Sequence, residues 1–185
     1  MSGEKVLTKE IAEQFIADEY SVDLYEFRKL DDDAAEILSS SEDYCLSLDG
    51  LTELSDAAAE SLSKHKGGRL HLNNLTELSD AAAESLSKHK GEDLQLGGLT
   101  KLSDAAAESL SRFNGEISIA GLLEMNASVA KSLSKHEGGG DLTFEVLSQI
   151  TDEVVDILSN YKGGLSLNGI SHFSDVAIES LSTHE

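Results

Sequence analysis

The chain has few of the residue types that give most small domains their bulk or their crosslinks. Its 185 residues include no proline, no tryptophan and a single cysteine, and aromatic side chains make up only 5% of them. One cysteine, Cys45, excludes an internal disulfide and fits a reducing compartment. Without bulky aromatic side chains the core must be built from many small aliphatic contacts, which leucine and alanine supply here.

Basic residues are also scarce. Lysine and arginine number 14 against 35 aspartate and glutamate residues, so the formal net charge is −21. This charge argues against binding to nucleic acid or to an anionic membrane surface, because both are bound mainly through lysine and arginine. It favours solubility and is compatible with basic protein partners or with cations. The first 45 residues hold 13 acidic and four basic residues, which is nearly half of the acidic excess.

Long apolar runs and cofactor motifs are absent as well. The N-terminal residues MSGEKVLTKEIAEQF lack the apolar core of a signal peptide. No segment approaches the roughly 18 apolar residues of a membrane helix. We therefore expect a cytoplasmic protein. Neither a P-loop nor a GxGxxG motif occurs, so no cofactor is expected.

The main feature that the sequence does contain is an internal repeat. The segment LTELSDAAAESLSKHKG fills positions 51–67 and returns at 75–91. The wider pattern L-x-L-x-G-L-x-x-L-S-D recurs seven times at intervals of 23 to 25 residues, after a half repeat that matches the helical part alone. We expect one domain over residues 1–185, with a capping helix within residues 1–20. The repeats start near Val22, Leu46, Leu70, Leu94, Ile117, Leu142 and Leu165.

Each repeat is predicted to contain a strand and then a turn. Leu46 and Leu48 alternate with polar neighbours, which is the period of a strand with one buried face. The column of Gly50 holds mainly glycine or asparagine, residues that tolerate positive φ, so a turn is expected there. Glu26 and Val146 interrupt this column and make positive φ unlikely in their two repeats.

A helix of about a dozen residues follows the turn and begins at Ser55. Asp56 suits the first turn, Lys64 suits the last turn, and Gly67 ends the helix. Glu60 and Lys64 are spaced for an ion pair. All residues in the column of Ser55 are good N-caps. They are Thr8, Asp31, Ser55, Ser79, Ser103, Asn126, Thr151 and Ser174.

One stripe of this helix is expected to face the core. It consists of Leu54, Ala58, Ala59, Leu62 and His65. A serine follows the Leu62 column in all seven full repeats, from Ser39 to Ser182. Two roles are open for it: a small residue at a close helix contact, or a hydroxyl bonded to the carbonyl one turn earlier.

Units of this kind bury their apolar faces only when they stack. The residues LxLxGLTxLSDAAAESL resemble a leucine-rich repeat of the bacterial, short-helix type and are similar to the cysteine-containing subclass, over about residues 22–185. The resemblance implies an α/β fold: a right-handed leucine-rich-repeat solenoid with a parallel sheet on the concave side and short helices on the convex side. It also implies protein recognition, most often through the concave face, rather than catalysis. The asparagine or cysteine that forms a hydrogen-bonded ladder after the strand in this family is replaced mainly by glycine.

A catalytic or metal site is the alternative that the repeated Ser, Asp and His suggest. On one helix Ser55 and His65 would be about 15 Å apart, whereas a nucleophile and its base need about 3 Å. The His65 column also contains Phe113 and Tyr161, which replace a packed ring but not a zinc ligand. We therefore predict no catalytic residues, no metal, a packing role for the column and a passive Cys45. The column is Ser41, His65, His89, Phe113, His136, Tyr161 and His184.

The outward strand positions differ between repeats, whereas the helices are nearly copies. This contrast indicates a constant scaffold with an individual surface, although free drift of exposed positions would give the same variation. The surface is polar and mildly acidic, and apart from Tyr25 it lacks the tryptophan and tyrosine anchors of tight interfaces. It therefore predicts weak or electrostatically steered binding of an unidentified basic or polar protein. The candidate residues are Asp23, Tyr25, Ser47, Asp49, Arg69, His71, Asn73, Asp93, Gln95, Glu116, Ser118, Asp141, Thr143, Glu145, Ser166 and Asn168.

Two classes of function are therefore open. The first is a non-enzymatic protein-interaction scaffold. The second is a structural or cation-binding acidic repeat without a specific partner, although the acids do not form the D-x-D-x-D-G loop of a calcium site. In addition, the last repeat exposes the flank of Leu165, Leu167 and Ile170, and Val176 adds apolar surface there. This predicts end-to-end self-association through the C-terminal repeat.

Overall fold

The structure, a computed structural model, describes residues 4–183. Within them the chain is an α/β arrangement of repeated units, in which every helix packs against the next one along the sequence and all strand pairs are parallel. The helices are α1 (Lys9–Ala17), α2 (Asp32–Leu38), α3 (Asp56–Leu62), α4 (Asp80–Leu86), α5 (Asp104–Leu110), α6 (Ala127–Leu133), α7 (Asp152–Leu158) and α8 (Asp175–Ser182). The strands are β1 (Val6–Leu7), β2 (Lys29–Leu30), β3 (Cys45–Ser47), β4 (Arg69–His71), β5 (Asp93–Gln95), β6 (Glu116–Ser118), β7 (Leu142–Thr143) and β8 (Leu165–Ser166).

The strands form three groups rather than the single sheet that the repeats predict. Strands β3 to β6 make a four-stranded sheet in sequence order, with β1 paired to β2 and β7 paired to β8. The gap between β6 and β7 follows a loop that is one residue longer than its counterparts. In that loop Gly139 and Gly140 have φ of 89° and 80°, the left-handed region that favours glycine. The Glu145 amide still donates to the Ala120 carbonyl at 3.1 Å, so a hydrogen bond joins the two units across the gap.

The first repeat does not form the strand that was predicted at Val22. The chain makes two 3₁₀ helices there instead, Glu19–Ser21 and Leu24–Glu26. An aspartate side chain caps each of these turns, so the backbone cannot stay extended. The expected capping helix is present as α1, and it packs directly on α2.

The helices are shorter than expected. Helices α2 to α7 have seven residues each, and within residues 4–183 none of the helices has the length and apolar character needed to cross a membrane. Helix α3 ends at Leu62. The Ser63 hydroxyl donates to the Glu60 carbonyl at 2.7 Å, and the His65 backbone amide donates to the Leu62 carbonyl at 3.0 Å, which closes a tighter turn after the helix. The same serine bond recurs in all seven full repeats, which confirms the hydroxyl role. Gly67 therefore lies well beyond the helix that it was expected to end.

The N-cap side chains join one unit to the next. Ser79 Oγ accepts a hydrogen bond from the Ala82 amide at 3.0 Å, as the sequence predicts. The same hydroxyl donates to the Asp56 carboxylate at the start of the preceding helix, a contact that was not predicted. The equivalent residues that link two units in this way are Ser55, Ser103, Asn126 and Ser174.

The other predicted caps behave differently. Thr151 accepts from the Val154 amide at 3.3 Å and is a side-chain cap as expected. Thr8 and Asp31 occupy the N-cap positions as predicted, but their side chains accept no cap hydrogen bond. The Thr8 hydroxyl is instead bonded to the Glu10 carboxylate at 2.8 Å.

The glycine column after the strand serves close approach rather than positive φ. Among residues 4–183 the glycines with positive φ are Gly139 and Gly140, neither of which belongs to this column. A Cβ at Gly98 would lie 2.2 Å from the Asn73 carbonyl oxygen, and one at Gly121 would lie 2.2 Å from the Gly97 carbonyl oxygen. The expectation of positive φ is therefore wrong, and the absent side chain is what these turns require.

The predicted apolar stripe is confirmed. Ala58, Ala59 and Leu62 are fully buried, and they belong to a core that runs through the units from Leu7 to Tyr161. In the last unit Leu165, Leu167 and Ile170 are only partly buried, and Val176 is 58% exposed. Self-association through this unit stays a prediction.

The linking caps give a direct test of how the units are held together. We expect Ser79→Ala to lower the free energy of unfolding by about 1–2 kcal/mol, because it removes both a helix cap and the bond to Asp56. Thr8→Ala, which removes no cap hydrogen bond, should cost less than about 0.5 kcal/mol. Equilibrium urea unfolding of both variants measures the difference. Equal losses would show that the cap ladder contributes nothing of its own.

Candidate functional site

We use the name strand face for the outward-facing residues of β3 to β8, together with the outward-facing residues up to two positions before or after each strand. On β3 the pattern is exposed, buried, exposed, with Leu46 only 1% exposed between its polar neighbours. The predicted alternation is confirmed on β4, β5 and β6 as well. Fourteen predicted residues lie on this face: Ser47, Asp49, Arg69, His71, Asn73, Asp93, Gln95, Glu116, Ser118, Asp141, Thr143, Glu145, Ser166 and Asn168.

Asp23 and Tyr25 do not lie on the strand face, so their predicted placement on a strand is wrong, while their role in binding stays a prediction. The Asp23 carboxylate accepts from the Tyr25 amide at 3.0 Å and so caps a 3₁₀ helix where a strand was expected. The Tyr25 ring is 56% exposed, with the Arg28 guanidinium 5.8 Å from its centre. Arg28 also donates to the Gly50 carbonyl at 2.9 Å, which ties this turn to the next unit.

Asp93 is the centre of a polar cluster on the strand face. Gln95 donates to its carboxylate at 2.6 Å, and His71 Nε2 lies 3.6 Å from it. Arg69 Nε lies 3.9 Å from the same carboxylate. The register of β4 and β5 makes these contacts, because Arg69 pairs with Asp93 and His71 with Gln95. This carboxylate is therefore already engaged by its neighbours.

A short ladder of side-chain hydrogen bonds follows the strands. The Asp49 carboxylate accepts a hydrogen bond from the Asn73 backbone amide at 2.7 Å. The Asn73 side-chain oxygen in turn accepts one from the Gly97 backbone amide at 3.0 Å. Gly97 has no side chain, so the ladder stops there. A hydrogen-bonded ladder therefore runs for two steps through the column of Asp49, which precedes the glycine column by one residue. Asp49 and Asn73 satisfy backbone groups and contribute less to a free surface than expected.

Cys45 has a neighbour that its sequence context did not reveal. Its Sγ lies 3.7 Å from His71 Nδ1 on the adjacent strand. Burial raises the pKa of the thiol; the charge of Arg69 opposes this rise, and the charges of Asp49 and Asp93 add to it. A cysteine acts as a nucleophile through its thiolate. His71 is a base beside Cys45, but the raised pKa of the thiol does not favour formation of the thiolate.

Tyr44 is a surface residue that the sequence argument missed. Its hydroxyl donates to Glu92 at 2.6 Å, a bond that raises the pKa of the tyrosine, and its ring lies 5.5 Å from the Arg69 guanidinium. A Cβ at Gly68 would lie 2.3 Å from this ring, so the glycine leaves room for it. A tyrosine in a column that holds mostly glycine was the signal in the sequence.

The histidine column packs as a row of rings. His65 and His89 are stacked with their centres 6.1 Å apart, and His89 and Phe113 are stacked at 6.2 Å. All three are at most 3% exposed, as is Tyr161. The predicted packing role is confirmed for these residues, while His184 lies outside the described residues. Among residues 4–183 no group of three or more His, Cys, Asp or Glu side chains is placed to hold a metal ion.

The structure does not bring Ser55 and His65 together. Ser55 lies at the start of α3, where it caps Ala58 and is bonded to Asp32. His65 lies beyond the other end of the helix, and its two ring nitrogens form no hydrogen bond of good geometry. The residue types of a hydrolase triad are present, but their geometry is that of a cap and a packed ring.

The stacked imidazoles are held in the neutral form by their surroundings. Burial lowers the pKa of both His65 and His89. For His65, the charge and the backbone of Asp43 partly offset this lowering of the pKa. For His89, the backbone of Ser63 offsets the lowering, whereas the charge of His65 adds to it. Protonation of either ring is therefore less favourable in the folded chain than in the unfolded chain.

No protein-family model and no curated protein matches the chain. The repeated parallel strands and helices are compatible with a repeat solenoid.

Acid should destabilise the fold through the stacked histidines. Because their pKa is lowered in the folded state, the unfolded chain takes up protons first, near pH 6.5. Their contribution to the free energy of unfolding is thus complete above about pH 6.5 and is lost as the pH falls below it. We expect a His65→Phe/His89→Phe variant to show a shallower fall between pH 7 and pH 5, since Phe113 shows that the column accepts this side chain.

Urea unfolding at several pH values, with each protein normalised to its own stability at pH 7, measures this effect. The normalisation removes any difference in packing between the two proteins. The same pH dependence in both would mean that these imidazoles are not the groups responsible.

Proposed function

We propose that the chain is a leucine-rich-repeat-like solenoid that binds a basic or polar protein through its strand face and catalyses no reaction. The observation that carries this proposal is the arrangement of β3 to β6. Their buried positions are the aliphatic set Leu46, Leu70, Leu94 and Ile117, in register across the sheet. Their outward positions in one row are Cys45, Arg69, Asp93 and Glu116, which differ in size and charge. A constant interior with a variable outer row supports a recognition surface.

The charges that remain free favour a basic partner at the later units. Asp49 and Asp93 are occupied by neighbouring groups of the same face. Glu116, Asp141 and Glu145 are exposed instead, and none of them forms an ion pair with a described lysine or arginine. Unpaired surface carboxylates attract a cationic partner and steer its approach.

Two further points accompany the proposal. The absence of catalysis is supported by Cys45, whose surroundings favour the neutral thiol. A reducing, cytoplasmic location is supported by the single exposed cysteine.

Reversal of the free carboxylates tests the proposal. The strand-face variant Glu116→Lys/Glu145→Lys should lose at least about 90% of the partner captured by the wild type, because two attractive charges become repulsive. The matched control Glu153→Lys/Glu179→Lys changes the net charge equally but lies on α7 and α8. It should retain most of the partner.

Quantitative affinity capture from lysate, followed by hydrogen-exchange footprinting of the recombinant complex, provides the measurement. Protection should map to β5 to β8 in the complex. If both variants capture the partner as well as the wild type, the strand face is not the binding surface.

A further inference from the structure

A cleft lies away from the strand face, where α1 and α2 end. Residues 15–20 and 40–43 line it, and its volume is about 570 Å³. We call it the N-terminal cleft. Phe15, Ile16 and Ala17 give it an apolar wall, and Ile16 is 42% exposed. Tyr20 is 90% exposed, the highest value among the large hydrophobic side chains of residues 4–183. Tyrosine is one of the residues that most often contribute binding energy at protein interfaces.

Four carboxylates surround this apolar wall: Asp18, Glu19, Glu42 and Asp43. None of them forms an ion pair with a lysine or arginine of residues 4–183. A hydrogen bond with Glu19 raises the pKa of Tyr20, and the charges of Asp43 and Asp18 act in the same direction. The phenol therefore lies within reach of the negative charge of both sides of the cleft.

The end of α2 lacks the lysine pair that follows α3 and α4. After α3 the chain has Lys64 and Lys66, and after α4 the corresponding residues are again lysines. Cations at these positions suit the negative end of a helix dipole. After α2 the same two positions are Ser40 and Glu42. Glu42 therefore adds negative charge beside the C-terminal end of α2, as Glu137 does at the equivalent position after α6.

The walls of the cleft are held in place before any partner arrives. The Ser21 hydroxyl donates to the Asp18 carbonyl at 2.6 Å, and the Asp18 carboxylate accepts from the Tyr20 amide at 3.2 Å. On the other side the Ser41 hydroxyl donates to the Asp43 carboxylate at 2.7 Å. Groups that are fixed in advance lose little conformational entropy on binding.

We propose that the N-terminal cleft docks an arginine- or lysine-bearing segment of a partner protein, with the cationic group among the four carboxylates and its aliphatic stem on Ile16 and Tyr20. Charge complementarity selects this occupant, since the cleft has four carboxylates and no paired cation. A guanidinium gains further from the exposed tyrosine ring through a cation–π contact. The site lies outside the strand face, so the two proposals succeed or fail separately.

A short cationic peptide is a suitable probe. Acetylated and amidated tetra-arginine is titrated into the ¹⁵N-labelled full chain at 0.15 M salt, where long-range attraction is largely screened. We expect the largest amide shifts at Glu19, Tyr20 and Glu42. Glu19→Gln/Glu42→Gln should weaken binding about tenfold, because two short-range charge contacts are lost.

Matched variants separate a built cleft from general attraction to an acidic protein. Glu77→Gln/Glu153→Gln removes the same charge at exposed positions of other units, and it should change the dissociation constant by less than about twofold. Tyr20→Ala keeps the charge and should also weaken binding. Equal weakening by both double variants would overturn the proposal, as would shifts centred on Ser118 and Thr143 of the strand face. Circular dichroism confirms that each variant is folded.

Discussion

The structure depends on one constraint: each unit must lie close enough to the next to share a core. A helix of seven residues cannot bury its own apolar side, so stability comes from contacts between units. Paired strands are about 4.8 Å apart, whereas packed helices ordinarily stand about 8–10 Å apart. Ala58 and Ala59 are fully buried, and their small side chains allow neighbouring helices to pack closely. The rings of the histidine column are stacked 6.1 and 6.2 Å apart, a spacing between these two values.

This difference in spacing has a consequence for the proposed binding surface. If strands pack more closely than helices, a stack of such units curves with the strands on the inside. That curvature would gather the outward residues of β3 to β6 toward a partner, as a concave recognition face requires. Side-chain hydrogen bonds join neighbouring units in two places. The Asp49–Asn73 ladder lies beside the strands, and bonds like that between Ser79 and Asp56 lie at the starts of the helices. Specific hydrogen bonds of this kind keep the units in one register.

The repeat was readable from the sequence because identical columns must occupy equivalent positions. The strands β3 to β8, the buried stripe and most N-caps follow from that symmetry. Contacts that depend on the neighbouring unit were not readable, because a single repeat does not show them. The bond from Ser79 to Asp56 and the approach of Gly98 to Asn73 are of this type. The strand expected at Val22 failed for a local reason, since capping aspartates turn the chain there.

The two proposed binding surfaces could be located from the sequence only in part, and the residues explain why. The outward columns located the strand face correctly, but they did not show that Asp49 and Asp93 are already bonded within it. The N-terminal cleft joins two segments that are distant in sequence, so no column contains it. Ser40 and Glu42 stand where the repeats at Leu46 and Leu70 have lysine, but Glu137 shows the same acid after α6, so this column does not single out the cleft. What distinguishes the cleft is the apolar wall beside four carboxylates, which only the folded chain brings together.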